Sequence, residues 1–265
     1  MNIYDAAFSA LMEQDPRLKK KKAQQLYTDW QARKYTRDAA KPVEQIIVPG
    51  RPEKPELVSP QHVKQRKLTS EIGLATLIHA IAHIEFNAIN LALDAVYRFR
   101  KMPDQYYTDW LQVASEEAYH FSMLSERLQA LGYDYGDMPA HNGLWEMCIQ
   151  TDTDVMIRMA LVPRVLEARG LDVTPAMMKK LTSAGDHKTV SILNIILRDE
   201  IGHVRIGSHW FKHCCAERDL EPLATFRQLL IDHMNGSLRG PFYKEARLQA
   251  GFTEEEMHEL EKMLS

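Results

Sequence analysis

The chain has 265 residues, 45% of them apolar and 26% charged, an ordinary soluble composition long enough for one substantial core with appendages. Its net charge of −3 gives no global bias toward nucleic acid or an anionic membrane, and no run of about 18 apolar residues without charges marks a membrane span. Three cysteines, Cys148, Cys214 and Cys215, exclude a disulfide framework and a zinc-ribbon or rubredoxin-type site; with a start that lacks signal-peptide character, they predict a reduced, cytoplasmic protein.

Residues 3–33 read as one or two amphipathic helices broken at Asp15-Pro16, where Asp suits an N-cap and Pro a first turn. Lys19 to Lys22 form a basic run, read as a solvated face opposite Leu26, Tyr27 and Trp30. Between 36 and 67, Pro42, Pro49, Pro52, Pro55 and Pro60 exclude helix. This stretch predicts an extended arm, with Ile46, Ile47 and Val48 its apolar cluster, wrapping the main domain or a neighbouring subunit.

From about residue 70 the pattern is helical. Ser70 to Arg100 is apolar nearly all round and reads as a buried helix. A second helix runs from Asp104 to Leu131 and stops at Gly132. A third begins near Asn142 and reaches Arg169-Gly170, with Pro163 as a kink, and Pro175 opens a short helix to about Ser183. Asp186 caps a fourth long segment that continues to about Arg218. Beyond it lie a helix near 221–234, a turn at Asn235-Gly236, the stretch Gly240 to Arg247, and a last helix with the capping box Thr253-x-x-Glu256. No strand pattern interrupts this order. The chain is therefore expected to be all-α, with N-terminal helices and arm over 1–67, a four-helix bundle over 68–218 and a helical extension over 219–265.

Each long segment carries a carboxylate on its apolar stripe. Glu85 shares a face with Ile78, Ile81, Ala82, Ala88, Ile89 and Ala92. Glu117 lies with Trp110, Val113, Ala114, His120, Phe121 and Leu124. Glu200 lies with Leu193, Ile196, Leu197, His203, Val204 and Phe211, and Glu167 follows Met156, Ala160 and Pro163. Buried carboxylates are expensive unless paired or bound to a cation. The spacing repeats: Glu85 to Glu117 is 32 residues and Glu167 to Glu200 is 33, each a Glu followed by Glu-x-x-His on the next helix. One Glu from each of two helices plus Glu-x-x-His from each of two others is the ligand set of ferritin-like di-iron and di-manganese proteins. Glu85, Glu117, His120, Glu167, Glu200 and His203 are thus expected to bind two iron ions, or manganese, or one of each. Asp199 and Glu116 each precede a ligating Glu and are expected to orient the histidine of the other motif.

The sequence holds a control. Glu255-x-x-His258 has the same spacing but sits among Glu254, Glu256, Glu259 and Glu261 and reads as a solvated face. His79 and His83 are four apart, yet His83 lies far around the helix from Glu85, on a polar stripe with Asn87, Asn90 and Asp94. His209 and His213 read as surface or interface residues rather than as a site with Cys214 or Cys215.

These motifs resemble a known family. His83-Ile84-Glu85, Glu117-x-x-His120, Val162 to Leu171, Arg198-Asp199-Glu200-x-x-His203, Pro49-Gly50-Arg51-Pro52 and the tail from Gly240 to Phe252 are similar to the ferritin-like family labelled domain of unknown function 455. The resemblance covers most of the chain and implies a ferritin-like bundle with bound metal, without a settled activity. The Asp-Glu-x-x-His motif is also similar to that of bacterial multicomponent monooxygenases, an analogy of site alone. The expected function is a di-metal oxidoreductase using O2 or peroxide on an organic molecule, with a reductase and a second copy of the chain as partners to consider. A ferroxidase, a helical module with a structural metal and an RNA-modifying hydroxylase stand as alternatives, the last supported only by the lysine run.

Overall fold

A computed structural model of the chain describes residues 2–38, 41–62, 68, 70–234, 236 and 238–264. The protein is all-α, a helical fold of the ferritin-like kind with additional helices toward both ends. It forms two compact units, Met1–Ile149 and Gln150–Ser265.

The first unit holds α1 (Ile3–Leu11), α2 (Pro16–Gln31), α3 (Glu71–Arg98) and α4 (Asp104–Gln129), with α5 (Gly143–Gln150) at its end. Local chemistry sets the starts. The Asp15 side chain accepts from the Arg17 and Leu18 amides with Pro16 in the first turn, and Ser70 accepts from the Gly73 amide. Gly132, at φ +79°, follows the end of α4 in the left-handed conformation that favours glycine. Helices α3 and α4 pack along their length, with α1 on α3 and α2 on α4. Helix α3 is long and apolar enough to cross a membrane by length and composition, which the absence of an uncharged apolar run did not suggest; two-thirds of that stretch is buried within the chain.

The proline-rich stretch runs against this unit's helices over its described residues. The Gly50 amide donates to the Leu11 carbonyl, and the Val58 and Ala140 amides close an exchange with Ala140 and Glu56 carbonyls. A Cβ on Gly50 would collide with the backbone of Met12 and Glu13, so glycine permits this approach. Of the expected apolar cluster only Ile46 is buried; Ile47 and Val48 are exposed, while the Ile47 carbonyl accepts from Trp145 Nε1 at 3.0 Å. Residues 63–67 of the expected arm, and Asn235 of the expected turn, lie outside the described residues.

One expectation is corrected here. Lys19 is not on a solvated face: it is fully buried, its Nζ donating to the Leu11 carbonyl and Asn90 Oδ1 and lying 5.4 Å from the Phe86 ring. Lys20 is half-buried, Lys21 is exposed, and Lys22 pairs with Glu13 at 2.7 Å. The polar stripe of α3 is buried with the rest of that helix, as expected, and it anchors the excursion after α4. His79 accepts from the Gly136 amide at 2.9 Å, and His83 bonds the Tyr135 hydroxyl at 2.9 Å and the His141 carbonyl at 3.1 Å.

The second unit holds α6 (Val155–Leu161), a π-helical turn (Val162–Glu167), α7 (Ala168–Ser183), α8 (His187–Ala216), α9 (Pro222–Met234), α10 (Lys244–Gln249) and α11 (Glu254–Lys262). The expected third helix is broken at 151–153, and Asp154 caps a fresh start by accepting from the Met156 amide. Pro163, lacking an N–H, falls in the wider π-turn rather than a simple kink. Pro175 does not open a helix but lies inside α7, whose Leu171 and Leu181 are fully buried. Gly207 on α8 lets this turn approach, since a Cβ there would collide with the Pro163 ring. Asp186 caps α8 and the Thr253–Glu256 box starts α11, as the sequence indicates.

Candidate metal centre

In the first unit the buried faces of α3 and α4 place Glu85, Glu117 and His120 together. His120 Nδ1 lies 3.0 Å from Glu85 Oε2 and 3.4 Å from Glu117 Oε2. The i, i+3 spacing puts Glu117 and His120 on one face of α4, and α3 brings Glu85 across to the same nitrogen. Glu85 is 3% exposed, and Glu117 and His120 are fully inaccessible. Ile78, Ala82, Ile89, Val113, Ala114 and Leu124 are buried along the same helices, so water cannot screen these charges.

The electrostatics follow from that geometry. Burial pushes the Glu85 carboxyl well above the usual carboxylate range, and the negative charge of Glu117 adds to the rise. Burial opposes a charged His120, but hydrogen bonds and charge from Glu117 and Glu85 outweigh it and lift the ring to about 11. Two buried carboxylates thus compete for one positive charge. A divalent cation supplies such charge without a proton, and oxygen and imidazole nitrogen are donors suited to iron or manganese. The residues therefore fit a metal, with Nδ1 the imidazole nitrogen turned to the carboxylates.

The second unit repeats the arrangement on α8. His203 Nδ1 lies 3.7 Å from Glu200 Oε1, again at i, i+3 and again through Nδ1. His203 is buried and Glu200 half-buried. Glu167, half-buried, closes the π-turn before α7. Such turns insert one residue per turn and concentrate at functional sites. Glu85, Glu117 and His120 in the first unit and Glu200 in the second each offer a ligand atom of the kind a metal takes.

The residues expected to orient the histidines have local partners. Asp199 accepts from Arg198 Nε at 2.8 Å and Nη2 at 3.2 Å, and Glu116 accepts from Gln112 Nε2 at 2.8 Å. Glu255 and His258 are exposed, as the control requires; Glu256, grouped with them on charge, is instead buried and ion-paired with Arg164. His79 and His83 stack on Tyr135 at 5.4 and 6.2 Å and take the separate partners given above. His209 is exposed and His213 half-buried, both edge-on to Trp210, while Cys214 and Cys215 are buried free thiols.

A family model described as protein of unknown function (DUF455) matches residues 12–258. An uncharacterized protein of Haemophilus influenzae (strain ATCC 51907 / DSM 11121 / KW20 / Rd) is 49% identical over 223 residues, covering 80% of this chain and 77% of that protein. No solved structure matches.

Proposed function

The chain belongs to the ferritin-like DUF455 family, and from that membership we propose that it is a di-metal carboxylate oxidoreductase using O2 or peroxide, with an organic molecule as its substrate. The observation that carries this reading is the buried Glu85–His120–Glu117 cluster. Glu85, Glu117, His120, Glu167, Glu200 and His203 would hold two irons, or manganese, or one of each. Bound there, the metals supply the electrons for reducing O2 or peroxide.

The remaining tasks belong to the chain. Glu85 and Glu117 would balance the charge of a bound metal, and both are buried away from bulk water. His120 and His203 present Nδ1, leaving Nε2 as the atom to be fixed by a neighbour. Asp199 and Glu116 would take that positioning role. A reductase is the partner that this reading calls for. Three buried cysteines, none of them in a disulfide, support a reducing, cytoplasmic setting.

O2 uptake after loading the purified chain with ferrous iron tests this. Uptake with iron retained on the protein supports the oxidoreductase. Uptake with ferric iron released makes the chain a ferroxidase, and no uptake by iron-loaded protein leaves the metal a structural role.

A further inference from the structure

Within the second unit a cavity of about 420 Å³ lies beside the π-turn. Its walls are mostly apolar, with Leu166 and Phe226 among them, and four arginines line it: Arg164, Arg169, Arg239 and Arg247. Among the described residues no acidic side chain lines it. That combination of size, apolar lining and a few convergent polar groups is the make-up of a small-molecule site.

The charge balance around it is positive. Asp172 accepts from Arg247 at 2.9 and 2.8 Å and lies 3.6 Å from Arg169, and Glu256 pairs with Arg164. Four arginines against these two acids leave two positive charges for the cavity. The inner wall carries a second signal. Arg164 is fully buried, and its Nε and Nη1 have no hydrogen-bond acceptor. Its guanidinium is held between the rings of Phe226, Phe252 and Phe211, at 4.2, 4.6 and 4.8 Å. Ring faces fix its position but do not replace an oxygen acceptor. Arg247 is stacked on Phe242 at 4.4 Å and locked to Asp172, so two of the four arginines are set in place by aromatic contacts.

We infer that this cavity binds an apolar organic anion, a molecule with an aliphatic or aromatic body and a carboxylate or phosphate head. The body packs on Leu166 and Phe226, and the head meets the arginine wall. Arg169 and Arg239, the more exposed pair, supply the charge that selects an anion over a neutral or cationic analogue. This site uses none of the six metal ligands and does not rest on the metal reading.

Calorimetric titration of the purified full chain with decanoate, decyl phosphate, decanol and decyltrimethylammonium, all below micelle formation, tests it. Saturable binding of either anion is expected, roughly tenfold tighter than that of the alcohol or the cation. The tighter anion identifies the head group. Arg239→Gln should weaken binding by about threefold or more, and Leu166→Trp, which fills the cavity, by about tenfold or more, each with an unchanged melting temperature. No saturable binding of either anion up to about 1 mM, equal binding of all four compounds, or full binding by a folded Leu166→Trp variant would overturn the assignment.

Discussion

Lys19 makes stability depend on pH in a window where ordinary lysines are silent. Its ammonium is fully buried, and burial lowers its pKa from 10.5 to about 7, the charge of Glu13 opposing this and that of Lys22 assisting. In the unfolded chain Lys19 binds its proton up to about 10.4, so between about 7 and 10.4 the unfolded state holds more protons than the folded one. Stability from this group therefore rises with pH across that window. At about 1.4 kcal/mol per pH unit the full span is at most about 5 kcal/mol. Below pH 7 the folded protein carries the whole cost of the buried charge, offset by the bonds to Leu11 and Asn90. Lys19→Met removes the titration. Urea unfolding of wild type and variant at pH 6.5, 7.5, 8.5 and 9.5 should show the wild type gaining on the variant by about 1 kcal/mol per unit above pH 7. Parallel profiles would mean that Lys19 titrates as a solvated lysine and that the burial argument is wrong.

Glu256→Ala should destabilise by about 3–5 kcal/mol in urea melts, because it strands the buried Arg164, whereas Glu255→Ala should stay within about 0.5 kcal/mol. Gly207→Ala drives a Cβ into the Pro163 ring and should cost about 1–3 kcal/mol by the same measurement. Tyr135→Phe removes the hydroxyl partner of His83 and should lower stability by about 1 kcal/mol.

What the sequence revealed and what it hid divide by range. Ser70, Asp186 and Thr253-x-x-Glu256 mark helix starts because a cap bonds its own next turn, a distance of three residues. The Glu-x-x-His motifs are legible for the same reason: i, i+3 spacing fixes a shared face. The fates of Lys19 and Glu256 were not, since each is decided by a distant partner: Asn90 is 71 residues from Lys19, and Arg164 is 92 from Glu256. A charge run carries no local sign of which member turns inward. Pro163 signalled a disturbance but not its form, because a missing N–H permits both a kink and a π-turn. The break at 151–153 escaped notice because apolar residues continue on both sides of it. The polar stripe of α3 was visible, but its cover, the Tyr135–His141 excursion, was not.

Metal content measured by emission spectroscopy on protein from iron-supplied cells tests the central claim most directly. Wild type and Glu255→Ala should each carry about two metals per chain, and Glu200→Ala should lose them. Near-zero metal in the wild type, with stability unchanged by chelator, would contradict the di-metal account.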